Sequence, residues 1–303
     1  MITRSARRPH IHLSSGDRVF YGLVNLFALV MFLVVLYPLI YVVSSSFSSP
    51  AAVLGGKVVF FPVDFSLEGY KAVFAYKDVL TGYGNAFLYT ILGTIINVIM
   101  TMICAYPLAR KTLPFRNFFM FLFTFTMFFG GGLIPSYILL RDLRMINTIW
   151  AIVVPGAISV YNMIIARTYI QTSIPGEMLE AAQVDGCSDA RYFFQMVLPL
   201  SKAMIAVIAL YYAVGHWNGW FNAFIYLNDR EKYPLQLILR EILISNTIDP
   251  DQTVDPELLQ KMRGMSDLLK YALIVVSSAP VMLLYPFAQK YFIQGVMIGS
   301  LKG

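Results

Sequence analysis

The sequence predicts an all-α integral membrane protein with six transmembrane helices. Of its 303 residues, 58% are hydrophobic and only 13% are charged, a balance that soluble globular proteins do not show. Six runs contain no Asp, Glu, Lys or Arg, and each is long enough to cross a bilayer core, which takes about 20 helical residues. The runs are apolar all round rather than along one stripe, which argues against helices buried in a soluble core.

The six predicted spans are separated by segments that differ in length and charge. The first run follows a basic tail, residues 1–18, which carries four arginines. It is too long for the apolar region of a signal peptide, so we expect an uncleaved first span. The predicted spans lie at residues 19–43, 84–109, 117–140, 145–166, 203–227 and 271–289.

Basic residues in the short segments predict the orientation of the chain. The tail is basic, and the link 110–116 carries three bases and no acid. Cytoplasmic segments are enriched in Lys and Arg, so both termini are expected in the cytoplasm. The stretches 44–83 and 228–270 then lie outside, and the loop 167–200 lies inside. Residues 228–270 hold eight acids and six bases, but long loops cross membranes largely regardless of charge.

Ionisable groups at membrane depth are nearly absent. Within the six runs His216 is the one titratable candidate, and Lys202 stands at the edge of the fifth. An ion-coupled carrier needs such groups to bind its driving ion. We therefore do not expect proton or sodium coupling through this chain, and we interpret His216 as a packing residue more readily than as a site.

The chain also lacks the motifs of an enzyme, of a metal site and of nucleic-acid binding. The one Gly-Lys pair, Gly56-Lys57, is followed by Val58, so no phosphate-binding loop is present. The three histidines, His10, His12 and His216, have no metal-site spacing. Cys104 and Cys187 define no disulfide framework and are expected to be structural.

The inner loop predicts two short helices joined by a tight turn. Pro175 suits the first turn of a helix that extends to about residue 184. Gly186 can adopt the left-handed conformation that ends helices, and Ser188 or Asp189 can cap a second helix. The sequence therefore predicts a helical hairpin on the cytoplasmic side.

The same loop resembles the signature of the permease subunits of binding-protein-dependent ABC importers. That signature is Glu-Ala-Ala, three residues, Gly, nine residues, Ile, one residue and Leu-Pro. Glu180-Ala181-Ala182, Gly186 and Leu198-Pro199 match it in register. Met196 stands at the Ile position, where it should preserve an apolar contact.

The resemblance implies a type I ABC importer permease fold and a role for the hairpin. Residues 19–303 would be the permease domain, in the cytoplasmic (inner) membrane of a bacterium. The partners implied are a second permease, two ATPase subunits that bind ATP and Mg, an external solute-binding protein and the bilayer. This chain would bind no cofactor and catalyse no reaction. The ATPase-coupling residues that the resemblance implies are Glu180, Ala181, Ala182, Asp185, Gly186, Leu198 and Pro199.

The resemblance is closest to the carbohydrate-uptake branch, to the smaller maltose-type permease and to oligosaccharide permeases. It is carried by Asn85, by the segment 130–135 with its three glycines, and by the segment 216–222. Ala86 stands where a Ser is usual. We therefore expect import of a sugar or oligosaccharide by alternating access. A permease for another solute, such as peptide or phosphate, and a scaffold without a pore are the alternatives.

Aromatic and amide side chains mark a candidate sugar pathway. Sugars stack on aromatic rings and need paired donors and acceptors. On a continuous helix Trp217 and Trp220 would share one face of span five, and Asn218 and Asn222 would share another. An aromatic belt at the membrane interface is the alternative explanation for the two Trp residues. Tyr161 and Asn162 of span four could instead make polar contacts between helices. The candidates are Trp217, Asn218, Trp220 and Asn222 in span five, and Tyr161 and Asn162 in span four.

Overall fold

The computed structural model describes residues 14–245 and 256–300, and every regular element in those ranges is a helix. Residues 1–13 of the predicted tail, 246–255 of the predicted outer loop and 301–303 lie outside the described residues. The helices are α1 (Ser15–Ser46), α2 (Pro50–Leu54), α3 (Glu68–Ala75), α4 (Lys77–Ala109), α5 (Arg116–Phe128), α6 (Leu133–Asp142), α7 (Trp150–Val153), α8 (Val160–Ser173), α9 (Gly176–Val184), α10 (Asp189–Tyr192), α11 (Leu198–Leu200), α12 (Lys202–Trp217), α13 (Phe221–Tyr226), α14 (Leu235–Ser245) and α15 (Pro256–Ser300).

Three helices of the described residues could cross a bilayer by length and composition. They are α1, α4 and the stretch Gly264–Leu283 of α15. Two sharply bent pairs would raise the number to five: α5 with α6, and Asp189–Leu200 with α12. The prediction of an all-α chain with apolar helices is confirmed, whereas the number of six transmembrane spans stays a prediction.

The predicted third span is not a continuous helix. α5 and α6 meet at an angle of 111°, at the three consecutive glycines that precede α6. Gly132 has φ +83°, a conformation that favours glycine, and a Cβ at any of the three would meet open space. Gly132 therefore serves the turn of the backbone, and no helix of the described residues packs closely against the three glycines.

The predicted fourth and fifth spans are also interrupted. Residues 145–166 contain the short α7 and the beginning of α8, separated by Pro155-Gly156, and α8 continues to Ser173. Pro cannot donate the backbone hydrogen bond that a helix needs, which explains the break. In the fifth, α12 ends at Trp217 and α13 begins at Phe221, so Trp217 and Trp220, like Asn218 and Asn222, are not paired on one continuous helix.

Residues 228–270 are not simply a solvated loop. α14 buries one apolar face, and its first turn packs against α4. Before it, Arg230 forms ion pairs with Asp78 at 2.5 Å and Glu241 at 3.2 Å. The mixed charges of this stretch conceal a buried apolar stripe: Leu235, Leu237, Ile238, Leu239 and Ile242.

The described residues divide into two compact units, at Lys71/Ala72 and again at Val275/Val276. The unit that contains α1 is organised by serines at the end of that helix. Ser44 Oγ donates to the carbonyl of Phe60 at 2.7 Å, and Ser48 Oγ accepts from the amide of Val63 at 3.0 Å. Ser46 shares a 2.8 Å hydrogen bond with the hydroxyl of Tyr70. These bonds fix the irregular chain that follows α1.

The other unit has its main core where the end of α4 packs against α8, the start of α12 and the segment before it. Residues Phe193–Val197 of that segment form a π-helix, a form often found at functional sites. The buried residues of this core are Met102, Ala105, Leu108, Ala109, Met163, Ala166, Ile170, Ile174, Tyr192, Phe193, Val197, Met204 and Ile208.

Close packing of α4 against α14 gives a test of the fold. A Cβ on Gly82 would lie 2.5 Å from Cδ1 of Ile238 and 3.1 Å from Cα of Leu235, whereas a Cβ on Gly84 would meet nothing. We expect Gly82→Ala to destabilise by about 1 to 3 kcal/mol through overpacking. Gly84→Ala should stabilise slightly, by at most about 1 kcal/mol, because Ala favours helices. Thermal unfolding of the purified importer measures both, and equal midpoints for the two variants would contradict this packing.

Candidate functional site

Residues 176–192 form two short helices joined by a tight turn. α9 ends at Val184, Asp185 is its C-cap, and Gly186 has φ +72°. The amide of Cys187 reaches back to the carbonyl of Ala182 at 2.9 Å, which closes the turn. Ser188 then caps α10 by accepting from the amide of Arg191 at 3.3 Å. The result is a helical hairpin, residues 176–192.

One face of this hairpin packs on the core and the other is free. Met178, Leu179 and Ala182 contact the core, whereas Glu180, Ala181, Asp185 and Gly186 are exposed. Val184 is 88% exposed. Farther along, Leu198 contacts the core and Pro199 is exposed, as is Met196.

Polar side chains attach the hairpin region to the end of α4. Arg110 forms an ion pair with Asp189 at 2.5 Å. From α8, Arg167 donates to the carbonyl of Leu108 at 3.0 Å and Gln171 to that of Ala109 at 3.1 Å. These bonds satisfy carbonyls that the end of a helix leaves without partners.

The electrostatics of Arg110 favour this attachment. Burial disfavours the charged guanidinium, but the hydrogen bond to Asp189 and the nearby Tyr106 outweigh that effect and raise the pKa of Arg110. The guanidinium carbon also lies 5.8 Å from the centre of the Tyr106 ring. Arg110 therefore stays charged and holds α10 to α4.

A polar cavity of about 330 Å³ lies among α4, α7, α8 and α12. Apart from His216, none of its lining residues carries a basic or carboxylate side chain. Amides, phenols and exposed backbone dominate the wall. The lining residues are Tyr89, Asn97, Ile152, Gly156, Ser159, Asn162, Tyr211, Tyr212, Gly215, His216, Gly219 and Asn222.

Two hydrogen-bonded networks form the wall of this cavity. The amide of Asn97 donates to the carbonyl of Gly156 and its oxygen lies 2.9 Å from Nε2 of His216. The hydroxyl of Tyr212 accepts from the amide of Ser159 at 2.9 Å and lies 2.7 Å from Oγ1 of Thr101. Each network joins α4, α12 and the break before α8.

Proteins similar to the chain over nearly its whole length indicate its family. No protein-family model matches the chain. Over 95% of its length it is 38% identical to the polygalacturonan/rhamnogalacturonan transport system permease protein YtcP of Bacillus subtilis, covering 98% of that protein. Protein LplC, also from Bacillus subtilis, is 36% identical over 97% of this chain and 98% of the relative. This chain belongs to the permease subunits of carbohydrate ABC importers.

A solved structure supports the same family. The permease superimposes with a TM-score of 0.81 on a chain of a bacterial ABC transporter involved in the import of the acidic polysaccharide alginate. The two are 36% identical, and the match covers 93% of the permease and 99% of the other chain.

Two of the predicted pathway residues line the polar cavity of the permease, Asn162 and Asn222. Asn222 reaches it because the helix breaks before α13. Tyr161, one residue from Asn162, is 58% exposed and does not line the cavity. Asn218 also lies outside it, and its amide donates to the carbonyl of Val214 at 3.0 Å.

The two tryptophans face other surroundings. Trp217 is buried, donates from Nε1 to the carbonyl of Ser277 at 2.9 Å, and lies beside Phe87 in a separate apolar crevice of about 380 Å³. The ring of Trp220 stacks on the guanidinium of Arg240, 3.8 Å away. That cation–π contact anchors α14 to α13.

Sequence reasoning missed most of the polar wall. Asn97 lies in the middle of an apolar run, and a lone amide there is a usable signal because such groups are costly in lipid. The tyrosines carry no comparable signal, since Tyr is common in apolar helices of this chain. The polar side chains of the wall that the sequence does not predict are Tyr89, Asn97, Ser159, Tyr211 and Tyr212, and His216 is interpreted from the sequence as a packing residue.

The Tyr212 network supplies a stability test. Tyr212→Phe removes the bond to Thr101 and leaves the Ser159 amide without its acceptor, so we expect a loss of about 1 to 3 kcal/mol. Thr101→Val should lower the stability less, because the hydroxyl of Tyr212 still accepts the hydrogen bond from the amide of Ser159. The double variant should cost less than the sum of the two, as measured by thermal unfolding of the purified importer. Strict additivity would show that the two hydroxyls are not coupled.

Proposed function

We propose that this permease contributes one half of the translocation pathway of an oligosaccharide importer, and that the polar cavity is its part of the sugar path. The observation that carries the proposal is the composition of the cavity wall: neutral amides and phenols, which both donate and accept hydrogen bonds as sugar hydroxyls require. The volume lies at the lower end of the range of about 300 to 1,000 Å³ that small-molecule sites have. A partner permease would complete it.

The substrate class is an oligosaccharide derived from an acidic polysaccharide. Polygalacturonan/rhamnogalacturonan transport is named for one relative and alginate import for the matching solved structure. Relatives with identities near 24% are named for arabinooligosaccharides and diacetylchitobiose, which supports sugars more broadly. A galacturonate oligomer is the first substrate to test.

Energy would reach the cavity through the hairpin. Its exposed face combines the acidic Glu180, the small Ala181 and the apolar Val184. Such a face suits a cleft on another protein. We propose that this face docks on an ATPase subunit that binds ATP and Mg. Two ATPases, a second permease and an external binding protein would complete the importer, with the hairpin and both termini in the cytoplasm.

Six crossings follow if α7 and α8 together form the fourth span. Irregular backbone is tolerated at membrane depth where it lines a cavity, as Gly156 and Ser159 do. The predicted fifth span would likewise cross as α12, a break and α13.

The substrate proposal is tested by uptake into proteoliposomes that contain the complete importer. Radiolabelled trigalacturonate, delivered with the cognate binding protein, should accumulate only when ATP is present inside the vesicles. Radiolabelled maltotriose, a tripeptide and phosphate are tested in the same way in separate vesicles, and mass spectrometry of the ligand copurified with the binding protein identifies the natural solute. Accumulation of peptide or phosphate instead would refute sugar import, and the absence of any uptake would support a scaffold.

Coupling is tested at the turn of the hairpin. Gly186→Asp should lower both uptake and sugar-stimulated ATP hydrolysis at least tenfold, because it adds a charged side chain to the docking face at a turn whose φ favours glycine. Glu180→Ala should have a smaller effect, since one exposed ion pair contributes little. Gly176→Asp is the control, at an open position at the start of α9 with no positive φ. Unchanged rates for Gly186→Asp would refute the coupling role.

The route of the sugar is tested at two amides of the fifth span. Asn222→Leu removes a lining amide and should lower the uptake rate about tenfold, while purified complexes remain folded. Asn218→Leu, outside the cavity, should change the rate less than twofold. If Asn218→Leu lowers the uptake rate more than Asn222→Leu does, the sugar path lies on the other side of α12.

A further inference from the structure

The imidazole of His216 is held by its Nε2 edge against α4. A Cβ on Gly93 would overlap Nε2, Cε1 and Cδ2 of the ring, so only glycine leaves room for it. Nε2 lies 2.9 Å from Oδ1 of Asn97. The ring also lines the polar cavity.

The neighbouring amide determines which ring nitrogen carries the proton. Asn97 directs its NH₂ group to the carbonyl of Gly156, which can only accept. Oδ1 of Asn97 therefore faces His216, and Nε2 must be the donor. In a neutral imidazole with Nε2 protonated, Nδ1 bears a lone pair and can only accept a hydrogen bond.

No hydrogen bond to Nδ1 of His216 is present among the described residues. The side chains of the cavity include no carboxylate that would stabilise a doubly protonated ring. His216 lines the cavity, so a sugar hydroxyl there can donate a hydrogen bond to this acceptor.

We propose that Nδ1 of His216 is a specificity-determining acceptor that takes a hydrogen bond from a hydroxyl of the transported sugar. This inference rests on the proposed function of the cavity. The chemistry selects for a hydroxyl at this point, because a carboxylate oxygen would place two acceptors against each other. In an acidic oligosaccharide, His216 would therefore face a hydroxyl of the sugar ring and not its carboxylate.

Two amide substitutions separate substrate recognition from a purely structural role. His216→Asn can place its oxygen near the position of Nδ1 but is too short for Asn97. His216→Gln can keep the hydrogen bond to Asn97 but loses the acceptor at Nδ1. Uptake of trigalacturonate is measured in proteoliposomes at saturating loaded binding protein. Thermal unfolding of each purified complex is measured in parallel.

We expect His216→Gln to lower the uptake rate about fivefold to tenfold, the effect of one lost hydrogen bond. Its unfolding midpoint should stay near that of the parent. His216→Asn should lower the midpoint more but the uptake rate less than threefold. If His216→Gln keeps full uptake, the residue only joins α4 to α12 and the inference is overturned.

The tautomer is measured directly by solid-state NMR of the complete importer labelled with ¹⁵N-histidine. The spectrum of the His216→Gln importer is subtracted to isolate this ring. An unprotonated Nδ1 that shifts when trigalacturonate-loaded binding protein and ATP are added supports the proposal. A protonated Nδ1 in the sugar-free importer overturns the proposal. This holds even if His216→Gln and His216→Asn both lose uptake.

The two proposals fail in different ways. If the parent importer accumulates none of the tested sugars, the proposed function of the cavity is wrong, whatever the tautomer of His216. If the parent accumulates trigalacturonate and His216→Gln is unimpaired, only the inference about His216 is wrong.

Discussion

Backbone groups at the breaks in the apolar helices need partners, and the unit around α4 depends on how they are found. Lipid offers no hydrogen bonds, so an unpaired amide or carbonyl there costs several kcal/mol. Asn97 binds the carbonyl of Gly156, and Tyr212 binds the amide of Ser159. Because these side chains come from intact helices, the break before α8 is fixed in position. The same bonds enclose a polar space in an otherwise apolar bundle.

Much of the helical content follows from composition, but its interruptions do not. Hydropathy locates α1 and α4 because an apolar run must satisfy its backbone internally. Hydropathy detects only composition. It therefore predicts one continuous span where α5 and α6 meet at a 111° bend, and another where Pro155-Gly156 separates α7 from α8. α14 was missed for the opposite reason, since charges around Arg240 and Glu241 concealed its apolar stripe.

The two parts of the candidate site differ in how far the sequence predicts them. The hairpin depends on neighbouring residues, Gly186 for the turn and Ser188 for the cap, so local signals locate it. The cavity depends on residues far apart in sequence, such as Asn97 and His216, which are 119 positions apart. Which faces of α4, α8 and α12 meet is decided by tertiary packing. Only Asn162 and Asn222 could be chosen in advance, from their chemistry.

The ion pair between Arg110 and Asp189 has a mechanical consequence. Arg110 ends the helix that carries Asn97, 13 residues earlier, and a helical rise of about 1.5 Å per residue separates them by about 20 Å. The backbone between them is helical throughout, although Pro107 removes one hydrogen bond near the end of α4. If the hairpin docks on an ATPase as proposed, a displacement of α10 would therefore be passed through Arg110 to the helix whose side chain Asn97 lines the cavity. On that proposal, docking of the hairpin and the shape of the polar cavity would be linked through α4.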